Sequence, residues 1–390
     1  MILNASDYNS LTSALADALD GDVVYCPAIA SAYVAPTGGF LISKSIELRG
    51  DGPGSSARGG GTVLTPPGAN GPVISIGSGV RGASIRDLRI QGSGGTGTSP
   101  AISCIQASNA AAIEDLSLRR VHIIGMPGDG ISLSANGEAQ GRIARTRIRD
   151  CVITNVGGAG IRITNALGST IEGVYFSGCV ENAIAVSGGS VGIYQCYCRS
   201  SATRSGWTRA TNPNDGTIKC VDCRCSRIDG CVLENIDAGG VKRGIVIVGV
   251  RGPSQIGACS ISGGGAYNPQ GIVVIGAGTG PVTVLPNRFD FTGTLAELVV
   301  VDENTQGGVV FAQHSEHDGS ISLGSLDARF IVLGTSQVRG GAPKPSGAIV
   351  PSSPSGATYG AQPGMIAYNT SLDMLQYYTG SAWKNVPNYF

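Results

Sequence analysis

The chain has 390 residues, of which 61 are glycine, and its 27 basic and 27 acidic residues give no net charge. Charged residues make up 14% of the chain and hydrophobic residues 42%, a balance that argues against intrinsic disorder. No lysine- or arginine-rich run suggests nucleic-acid binding or binding to an anionic membrane. The glycines have no three-residue period, which excludes collagen, and their abundance indicates many tight turns.

The N-terminal segment predicts a short helix and carries no targeting signal. Its first residues lack the basic and apolar regions of a signal peptide, and no apolar run is long enough for membrane insertion. We therefore expect the protein to fold in a cytoplasm, where its cysteines would be thiols rather than disulfides. Tyr8, Leu11, Leu15 and Leu19 share one helical face, and Gly21 is placed to end the helix. This predicts an N-terminal segment with a capping helix over residues 1–22.

A repeat of about 28 residues dominates the middle of the chain. Apolar or small residues recur three, five and eight positions after starts at Ile85, Ile113, Ile143, Ile171, Gly188, Cys223 and Arg251. Each repeat also has a second short apolar strand, usually opened by glycine, as in residues 160–163 and 244–247. Such a unit cannot close its own core, whereas coils stacked about 4.8 Å apart would bury one continuous column. The repeat predicts a β-solenoid over residues 23–280. A leucine-rich repeat would need a leucine-rich consensus and a helix in each unit, and neither is visible.

The start of this region resembles a known family. Residues 14–20 are followed by the strand 22–27, DVVYCP, and then by the strand 41–48 and the turn RGDG at 49–52. This order resembles the pectate-lyase-like β-helix family of phage tailspikes and polysaccharide-active enzymes, over roughly residues 8–290. The resemblance implies an all-β fold, a right-handed single-stranded parallel β-helix with an N-terminal capping helix.

The C-terminal third predicts three further segments. Residues 281–340 keep strand-like runs but lose the repeat register, so we expect terminal coils or a β cap. Residues 341–363 are rich in proline, serine and glycine and are interpreted as a linker. Residues 364–390 predict three short strands and look like the small β tip domains at the ends of phage tail fibres and spikes. Because so small a unit does not fold alone, we expect a homotrimer.

The cysteines predict a core ladder rather than a metal site. The eighth position of the repeat is taken by Cys151, Cys179, Cys196, Cys231 and Cys259. We expect these side chains to stack inward as free thiols, because a coil spacing of about 4.8 Å exceeds the usual Cβ separation in a disulfide. The cluster of Cys196, Cys198, Cys220, Cys223 and Cys225 leaves a zinc site as the alternative. We expect no metal and no cofactor.

The outward positions of the same strand predict a binding surface for a sugar. Arginine, tyrosine and glutamine side chains combine planar surfaces with hydrogen-bond donors, which suits a glycan. The candidates are Arg147, Arg149, Tyr175, Tyr194, Arg227 and Gln255, together with Trp207 from an inserted loop at residues 200–219. A solvated face or an intersubunit face is the alternative interpretation.

Cleavage of a glycan would need two carboxyl groups that flank the scissile bond. The catalytic candidates are Asp150, Asp229, Glu234 and Glu181, and no pair of them is fixed by spacing. Glu181 stands out because its register position elsewhere holds Ile123, Ile153 and Leu233. A carboxylate there would be partly buried with a raised pKa, as a general acid requires. Asp215 and Asp237 are further acidic residues near this surface.

Three functions remain open from the sequence. The first is a phage tailspike or receptor-binding protein, a homotrimer in the virion tail that is assembled in the host cytoplasm. It would attach to a phage tail or adaptor protein and bind a host surface polysaccharide, with or without cleaving it as a glycosidase or lyase. The second is a non-catalytic virion fibre or adhesin. The third is a cellular polysaccharide lyase or epimerase.

Overall fold

The computed structural model describes most of residues 1–338 and three strands between residues 366 and 385. The segments outside the description are 55–59, 69–70, 95–97, 106–111, 135–142, 202–214, 237–242, 250, 264–268, 276–280, 292–295, 302–307, 312, 316–318, 324–329, 334–336, 339–365, 370–373, 379–382 and 386–390. None of the helices in the described part is long and apolar enough to cross a bilayer.

The chain winds into a parallel β-helix, in which equivalent strands of successive coils pair in parallel. Each full coil has three strands, which form three faces along the solenoid. The first face contains Ile2–Asn4, Val23–Cys26, Glu47–Gly50, the first parts of Ser84–Gln91 and Ser117–Ile124, Arg147–Arg149, Ser169–Glu172, Ser190–Tyr194, Cys225–Asp229, Ser254–Gly257, Val282–Val284, Gly308–Phe311 and Phe330–Leu333.

The other two faces are built in the same way. The second face contains Tyr33–Val34, Val63–Thr65, the second parts of Ser84–Gln91 and Ser117–Ile124, Val152–Thr154, Tyr175–Ser177, Tyr197–Arg199, Val232–Glu234, Ser260–Gly263, Arg288–Phe291, His314–Ser315 and Gln337–Val338. The third face contains Phe40–Ile42, Ile74–Ile76, Ile102–Ile105, Ile131–Ser134, Ile161–Thr164, Ile184–Ser187, Ile218–Val221, Arg243–Val248, Gln270–Ile275, Ala296–Val301 and Gly319–Leu323. A small side sheet joins Ile113–Glu114, Ile143–Ala144 and Ala166–Leu167.

A helix covers the N-terminal end of the column. A 3₁₀ turn, Ala5–Asp7, precedes the α-helix Leu11–Asp17, which Ser10 caps by accepting a hydrogen bond from the Ser13 amide at 3.1 Å. Leu11 and Leu15 are buried. The helix is shorter than the sequence pattern suggested, because Ala18 is already extended, and Leu19 is exposed rather than part of the buried face. Gly21 therefore lies beyond the helix end.

The coil register differs from the predicted repeat in two coils. The strands pair Ile85 with Leu118, and Ile148 with Ile171, an offset of five residues from the predicted alignment in each case. The coils that begin near Ile193, Ile228 and Ile256 follow the predicted register. The offsets arise because coil length varies: the coil from Ile85 to Leu118 has 33 residues, whereas those from Ile148 to Ile171 and from Ile171 to Ile193 have 23 and 22.

The parallel ladder continues beyond residue 280. Val282–Val284 pairs in register with Ser254–Gly257, and the pairing extends to Gln337–Val338. The expected loss of register over residues 282–333 is therefore wrong for the described strands. Near the C-terminus, Ile366–Asn369, Met374–Tyr378 and Trp383–Asn385 form a separate antiparallel sheet. The division of this end into cap, linker and tip stays a prediction.

The cysteine ladder forms with one change of member. Cys151, Cys196, Cys231 and Cys259 occupy one inward position, but Val174 fills the place expected for Cys179, because the register of that coil is shifted. The ten cysteines whose side chains the structure describes are free thiols, and all ten are buried. Burial raises the pKa of Cys151 to about 12 and that of Cys179 to about 12, so these thiols stay protonated.

Each ladder cysteine follows a residue in the left-handed backbone conformation. Asp150, Gln195, Gly230 and Ala258 have φ values of 53°, 51°, 65° and 51° and turn the chain from the first face to the second. The thiol of Cys151 donates a hydrogen bond to the Arg149 carbonyl at 3.2 Å, and the thiol of Cys196 donates one to the Tyr194 carbonyl at 3.4 Å. Cysteine therefore suits this corner for two reasons: it is small and apolar, and its S–H satisfies a buried carbonyl.

This arrangement predicts how the ladder tolerates substitution. Cys231→Ser keeps a donor for the Asp229 carbonyl, so we expect its unfolding free energy to stay within about 1 kcal/mol of the parent. Cys231→Leu adds volume between Cys196 and Cys259 and should cost about 1–3 kcal/mol. Denaturant unfolding of both variants tests the difference. A serine variant less stable than the leucine variant would show that the thiol is not a donor.

A second prediction concerns the ion pairs at the same corners. Asp87 accepts two hydrogen bonds from Arg120, at 2.5 and 2.8 Å, and these bonds hold the pKa of Asp87 below its usual value. A depressed carboxyl pKa stabilises the fold above about pH 4, and this contribution disappears as the pH falls through the folded-state pKa. We expect Asp87→Asn to cost about 1 kcal/mol at pH 7 and progressively less below pH 4. Urea unfolding of the parent and the variant at pH 7 and below pH 4 measures this loss of unfolding free energy. A loss that is the same at both pH values would contradict the prediction.

Candidate functional site

The first face presents two columns of outward side chains. The first outward column runs through Arg147, Thr170, Gly192, Arg227 and Gln255, and the second, two residues later on each strand, runs through Arg149, Glu172, Tyr194 and Asp229. The residues between these columns point into the core, because side chains alternate along a strand. Ile148, Ile171, Ile193, Ile228 and Ile256 accordingly stack below the face as fully buried residues.

An open groove of about 620 Å³ lies on this face. It spans five coils and is lined by Gly168, Ser169, Thr170, Ser190, Val191, Gly192, Tyr194, Ser226, Arg227, Pro253, Ser254, Gln255 and Thr283. Three of the predicted sugar-binding residues, Tyr194, Arg227 and Gln255, therefore come together in one groove. Its remaining lining is mostly small and hydroxylic.

The ring of Tyr194 forms part of the groove surface because Gly192 has no side chain. A Cβ atom at Gly192 would lie 2.5 Å from Tyr194 Cε2 and 2.6 Å from its hydroxyl oxygen. The ring therefore crosses from the second outward column to the first and covers the glycine. A larger residue at position 192 would push the ring away from the strand.

Arg227 and Gln255 continue the first outward column above this ring. The Arg227 guanidinium carbon lies 6.0 Å from the Tyr194 ring centroid, within the range of a weak cation–π contact. Arg227 also makes a long ion pair of 3.5 Å with Asp229, and both side chains are largely exposed. The guanidinium donors thus remain accessible from the groove. Gln255 pairs by backbone with Arg227 on the neighbouring coil.

Arg147 and Arg149 lie on the same face but outside the groove lining. They belong to the coil before Thr170, and Arg149 forms an ion pair of 2.9 Å with Glu172. Among the residues that the structure describes, Arg147 makes no ion pair, and it is exposed. These two arginines therefore extend the polar surface of the groove toward the N-terminal coils.

Tyr175 lies on the second face, not beside Tyr194. The register shift puts Thr170 and Glu172 in the places expected for Tyr175 and Ser177. Tyr175 stacks on Tyr197 of the next coil, with ring centroids 5.3 Å apart and an angle of 10° between the rings. Each ring thus covers the other, and Tyr175 is separated from the groove by the corner at Gly173. Its prediction as part of the same row as Tyr194 is wrong.

The catalytic candidates on the first two faces are held apart. Asp150 lies at a corner three coils before Gly230, so it is about 14 Å along the axis from the coil of Asp229. Glu234 is on the second face and accepts a short hydrogen bond from the Tyr197 hydroxyl, which raises the tyrosine's pKa. Asp150 pairs with Arg119 at 3.4 Å. Glycosidase carboxyl groups lie roughly 5–9.5 Å apart, so Asp150 and Asp229 do not form such a pair.

Glu181 does not occupy the register position of Ile153, which pairs with Phe176 instead. Its amide donates to the Gly158 carbonyl at 3.1 Å, in the turn between the second and third faces. Its carboxylate binds Arg162 Nη2 at 2.5 Å, and Arg162 also makes two bonds to Asp129, at 2.7 and 3.1 Å. Asp129 in turn accepts from the Ala159 amide at 2.8 Å. This arrangement is an ion cluster that fastens neighbouring turns, and the register argument that singled out Glu181 is wrong.

The inserted loop contributes little that can be described. Trp207 and Asp237 lie outside the described residues. Asp215, at the end of the loop, is buried and binds the Lys219 ammonium at 2.7 Å beside the third face. Thr170, Thr283 and the role of Gly192 were missed by sequence reasoning. A register aligned on the buried isoleucines would have found Thr170, and the same repeat continued past residue 280 would have found Thr283.

Comparisons with known proteins support the fold. A family model described as a right-handed β-helix region matches residues 101–289. A search of curated proteins finds no relative of this sequence. An alginate lyase from Paenibacillus sp. str. FPU-7 superposes with a TM-score of 0.50 at 15% identity, covering 78% of this chain and 98% of the lyase. The chain is therefore a right-handed parallel β-helix, as the sequence predicted.

Two further structures show weaker similarity. Tailspike protein 3 of bacteriophage CBA120 has a TM-score of 0.49 at 10% identity, covering 98% of this chain and 68% of the tailspike. The A-module of a mannuronan C-5 epimerase from Azotobacter vinelandii has a TM-score of 0.48 at 14% identity, covering 85% and 94%. Neither similarity bears on the chemistry of the site.

The ion cluster gives a prediction for stability. Arg162→Gln would leave Asp129 and Glu181 close together without their shared cation, so we expect a loss of about 2 kcal/mol in unfolding free energy. Arg227→Gln, on the exposed first face, should change it by less than about 0.5 kcal/mol. Denaturant unfolding of the two variants measures both effects. Equal losses would show that the cluster does not fasten the turns.

Proposed function

We propose that this chain is a receptor-binding protein of the phage tailspike type, which binds a host cell-surface polysaccharide through the groove around Tyr194. The observation that carries the proposal is the tyrosine ring held across Gly192, with Arg227 and Gln255 next to it. An aromatic ring packs against the apolar face of a sugar ring, while guanidinium and amide groups hydrogen-bond its hydroxyl or acidic substituents. This combination suits a glycan better than an apolar ligand.

The shape of the groove supports a polymeric ligand. The groove is open and follows the stacked coils, so a chain can continue beyond it at both ends. Its floor rests on paired strands above a fully buried isoleucine column, which makes it rigid. A rigid surface orders few groups on binding, so weak contacts repeated along a polymer can add up.

The virion assignment is part of the same proposal and rests on different observations. The sequence resembles phage tailspikes at its N-terminal motifs, and an antiparallel three-stranded sheet follows a proline-, serine- and glycine-rich segment. In this proposal the small sheet assembles three copies into a homotrimer in the phage tail, where a tail or adaptor protein holds it. Assembly would take place in the host cytoplasm.

Binding without cleavage is the version that the site favours. The candidates Asp150, Glu181 and Glu234 are each bound to an arginine or tyrosine. Glu172 and Asp229 flank Tyr194 in the second outward column, and each pairs with an arginine. Among the described groove-lining residues there is no carboxylate. A non-catalytic virion adhesin is thus the form of the proposal that needs no catalytic carboxylate in the groove.

Tyr194→Ala tests the role of the groove. We expect it to weaken binding to a bacterial surface polysaccharide about thirtyfold, because a buried aromatic contact is worth about 2 kcal/mol. Gly192→Val should weaken binding to a similar extent, because its side chain would displace the Tyr194 ring. Position 192 points away from the core, so this change leaves the core packing intact. Binding is measured by titration of the strongest ligand from an array of such polysaccharides, with new reducing ends and unsaturated sugars assayed in parallel.

Tyr175→Ala is the matched control, since it removes an outward tyrosine from the second face. It should leave binding unchanged within about twofold. Equal losses for Tyr175→Ala and Tyr194→Ala would contradict the location of the site. Product formation by the parent protein would show that the site also cleaves its ligand.

A further inference from the structure

Two carboxylates stand on either side of the Tyr194 ring. The second outward column of the first face runs through Glu172, Tyr194 and Asp229 on three successive coils. Parallel coils stack about 4.8 Å apart, so each carboxylate belongs to a coil directly next to that of the ring. Both side chains reach solvent, with 39% of Glu172 and 38% of Asp229 exposed. A sugar that packs on the ring would therefore have a negative charge on each side of it along the solenoid axis.

The arginines beside these carboxylates are already paired. Glu172 binds Arg149 at 2.9 Å, and Asp229 lies 3.5 Å from Arg227 Nη2. An anion that bound Nη2 at about 2.9 Å would lie no more than about 6.5 Å from the Asp229 carboxylate. The attraction of Arg227 for an anion is therefore offset by repulsion from its own partner. Further pairs of arginine and carboxylate continue this balance along the face, namely Arg119 with Asp150 and Arg86 with Glu47.

The groove itself offers mostly uncharged hydrogen-bonding groups. Among the thirteen described residues that line it, Arg227 is the one charged residue, and seven carry a hydroxyl group. A hydroxyl group both donates and accepts hydrogen bonds, as the hydroxyl groups of a sugar do. The lining therefore matches a neutral sugar better than an acidic one, whose carboxylate accepts only.

Three of the uncharged groups are placed for a ligand that lies along the solenoid axis. Thr170, Gln255 and Thr283 belong to the first outward column and are half-buried. Their side chains form no hydrogen bond within the described part of the chain. Ser226 and Ser254, by contrast, lie deeper and bond to each other at 3.0 Å between their hydroxyl oxygens. The column from Thr170 to Thr283 spans four coil steps, or about 19 Å, so its free groups can meet several sugars of one chain.

We propose that the groove selects an uncharged polysaccharide and that Glu172 and Asp229 are the residues that exclude acidic sugars. The inference rests on the proposed glycan binding at Tyr194 and adds the charge class of the ligand. A neutral chain binds the ring and the free hydroxyl and amide groups, and it leaves both ion pairs intact. A chain with carboxylate or sulfate groups brings them next to Glu172 or Asp229 when its sugar packs on the ring, and like charges so close together repel.

An array of purified bacterial surface polysaccharides, both neutral and acidic, provides the first test. We expect the strongest ligand of the full-length protein to be neutral, with an affinity that changes by less than about twofold between about 0.02 and 0.5 M salt. Carboxylates introduced by oxidation of its primary hydroxyl groups should weaken binding about tenfold or more, and methyl esterification of these carboxylates should restore it. An acidic strongest ligand, or equal binding of the oxidised and the parent polymer, would overturn the proposal.

Glu172→Gln and Asp229→Asn test the two residues. Each should narrow the preference for the parent over the oxidised polymer about threefold, and the double variant about tenfold, because each change removes one repelling charge and frees one arginine. Glu47→Gln is the matched control, an arginine-paired glutamate on the same face and five coils before Gly192. It should leave the preference unchanged. Equal effects of Glu47→Gln and Glu172→Gln, or an unchanged preference in the double variant, would contradict the role of these carboxylates.

The outcomes separate this inference from the function on which it rests. If the strongest ligand is acidic and its binding depends on Tyr194, the groove function stands and only the charge class fails. If no polysaccharide of the array binds, or if binding does not depend on Tyr194, both the groove function and the charge class fail.

Discussion

The parallel hydrogen-bond ladder between coils is the constraint on which the rest of this structure depends. Each residue of a strand lies over its equivalent in the previous coil, so one register fixes both the core and the surface. On the first face this brings Ile148, Ile171, Ile193, Ile228 and Ile256 into one buried column. The same pairing aligns the outward residues into columns. A binding surface of this type therefore needs no long loop to assemble it.

The corners between the faces require a sharp turn of the backbone. At each corner the chain must turn sharply, and residues such as Asp150, Gln195 and Ala258 adopt a left-handed conformation that costs about 1 kcal/mol or more when the residue is not glycine. Stacking offsets this cost in two ways. Arginines and carboxylates of neighbouring corners form ion pairs, as between Arg120 and Asp87, and the following cysteine thiol satisfies a corner carbonyl.

The sequence predicted the fold and placed three of the residues in the candidate groove, and the coil register explains both the correct placements and the wrong ones. Tyr194, Arg227 and Gln255 were correctly grouped because their coils follow the repeat spacing and keep a buried isoleucine in place. Tyr175 and Glu181 were misplaced because the coil between Ile148 and Ile171 is shorter than the repeat, which shifts the residues of the Ile171 coil until the predicted register returns at Ile193. Coil length depends on turn geometry, which a single apolar pattern does not reveal. Side-chain pairing, such as Glu181 with Arg162, was likewise beyond the pattern.

The distribution of charge along the first face separates stabilising groups from groups available to a ligand. Asp87 and Glu47 are shared between arginines and largely covered, so they serve the fold. Arg227 lies on the same face with only a long ion pair of 3.5 Å to Asp229, so in the proposed function little is lost when it turns to a ligand. Binding energy then comes mainly from new contacts, since few existing ones are broken. This difference is why arginine fastens a corner at Arg120 but keeps its donors accessible at Arg227.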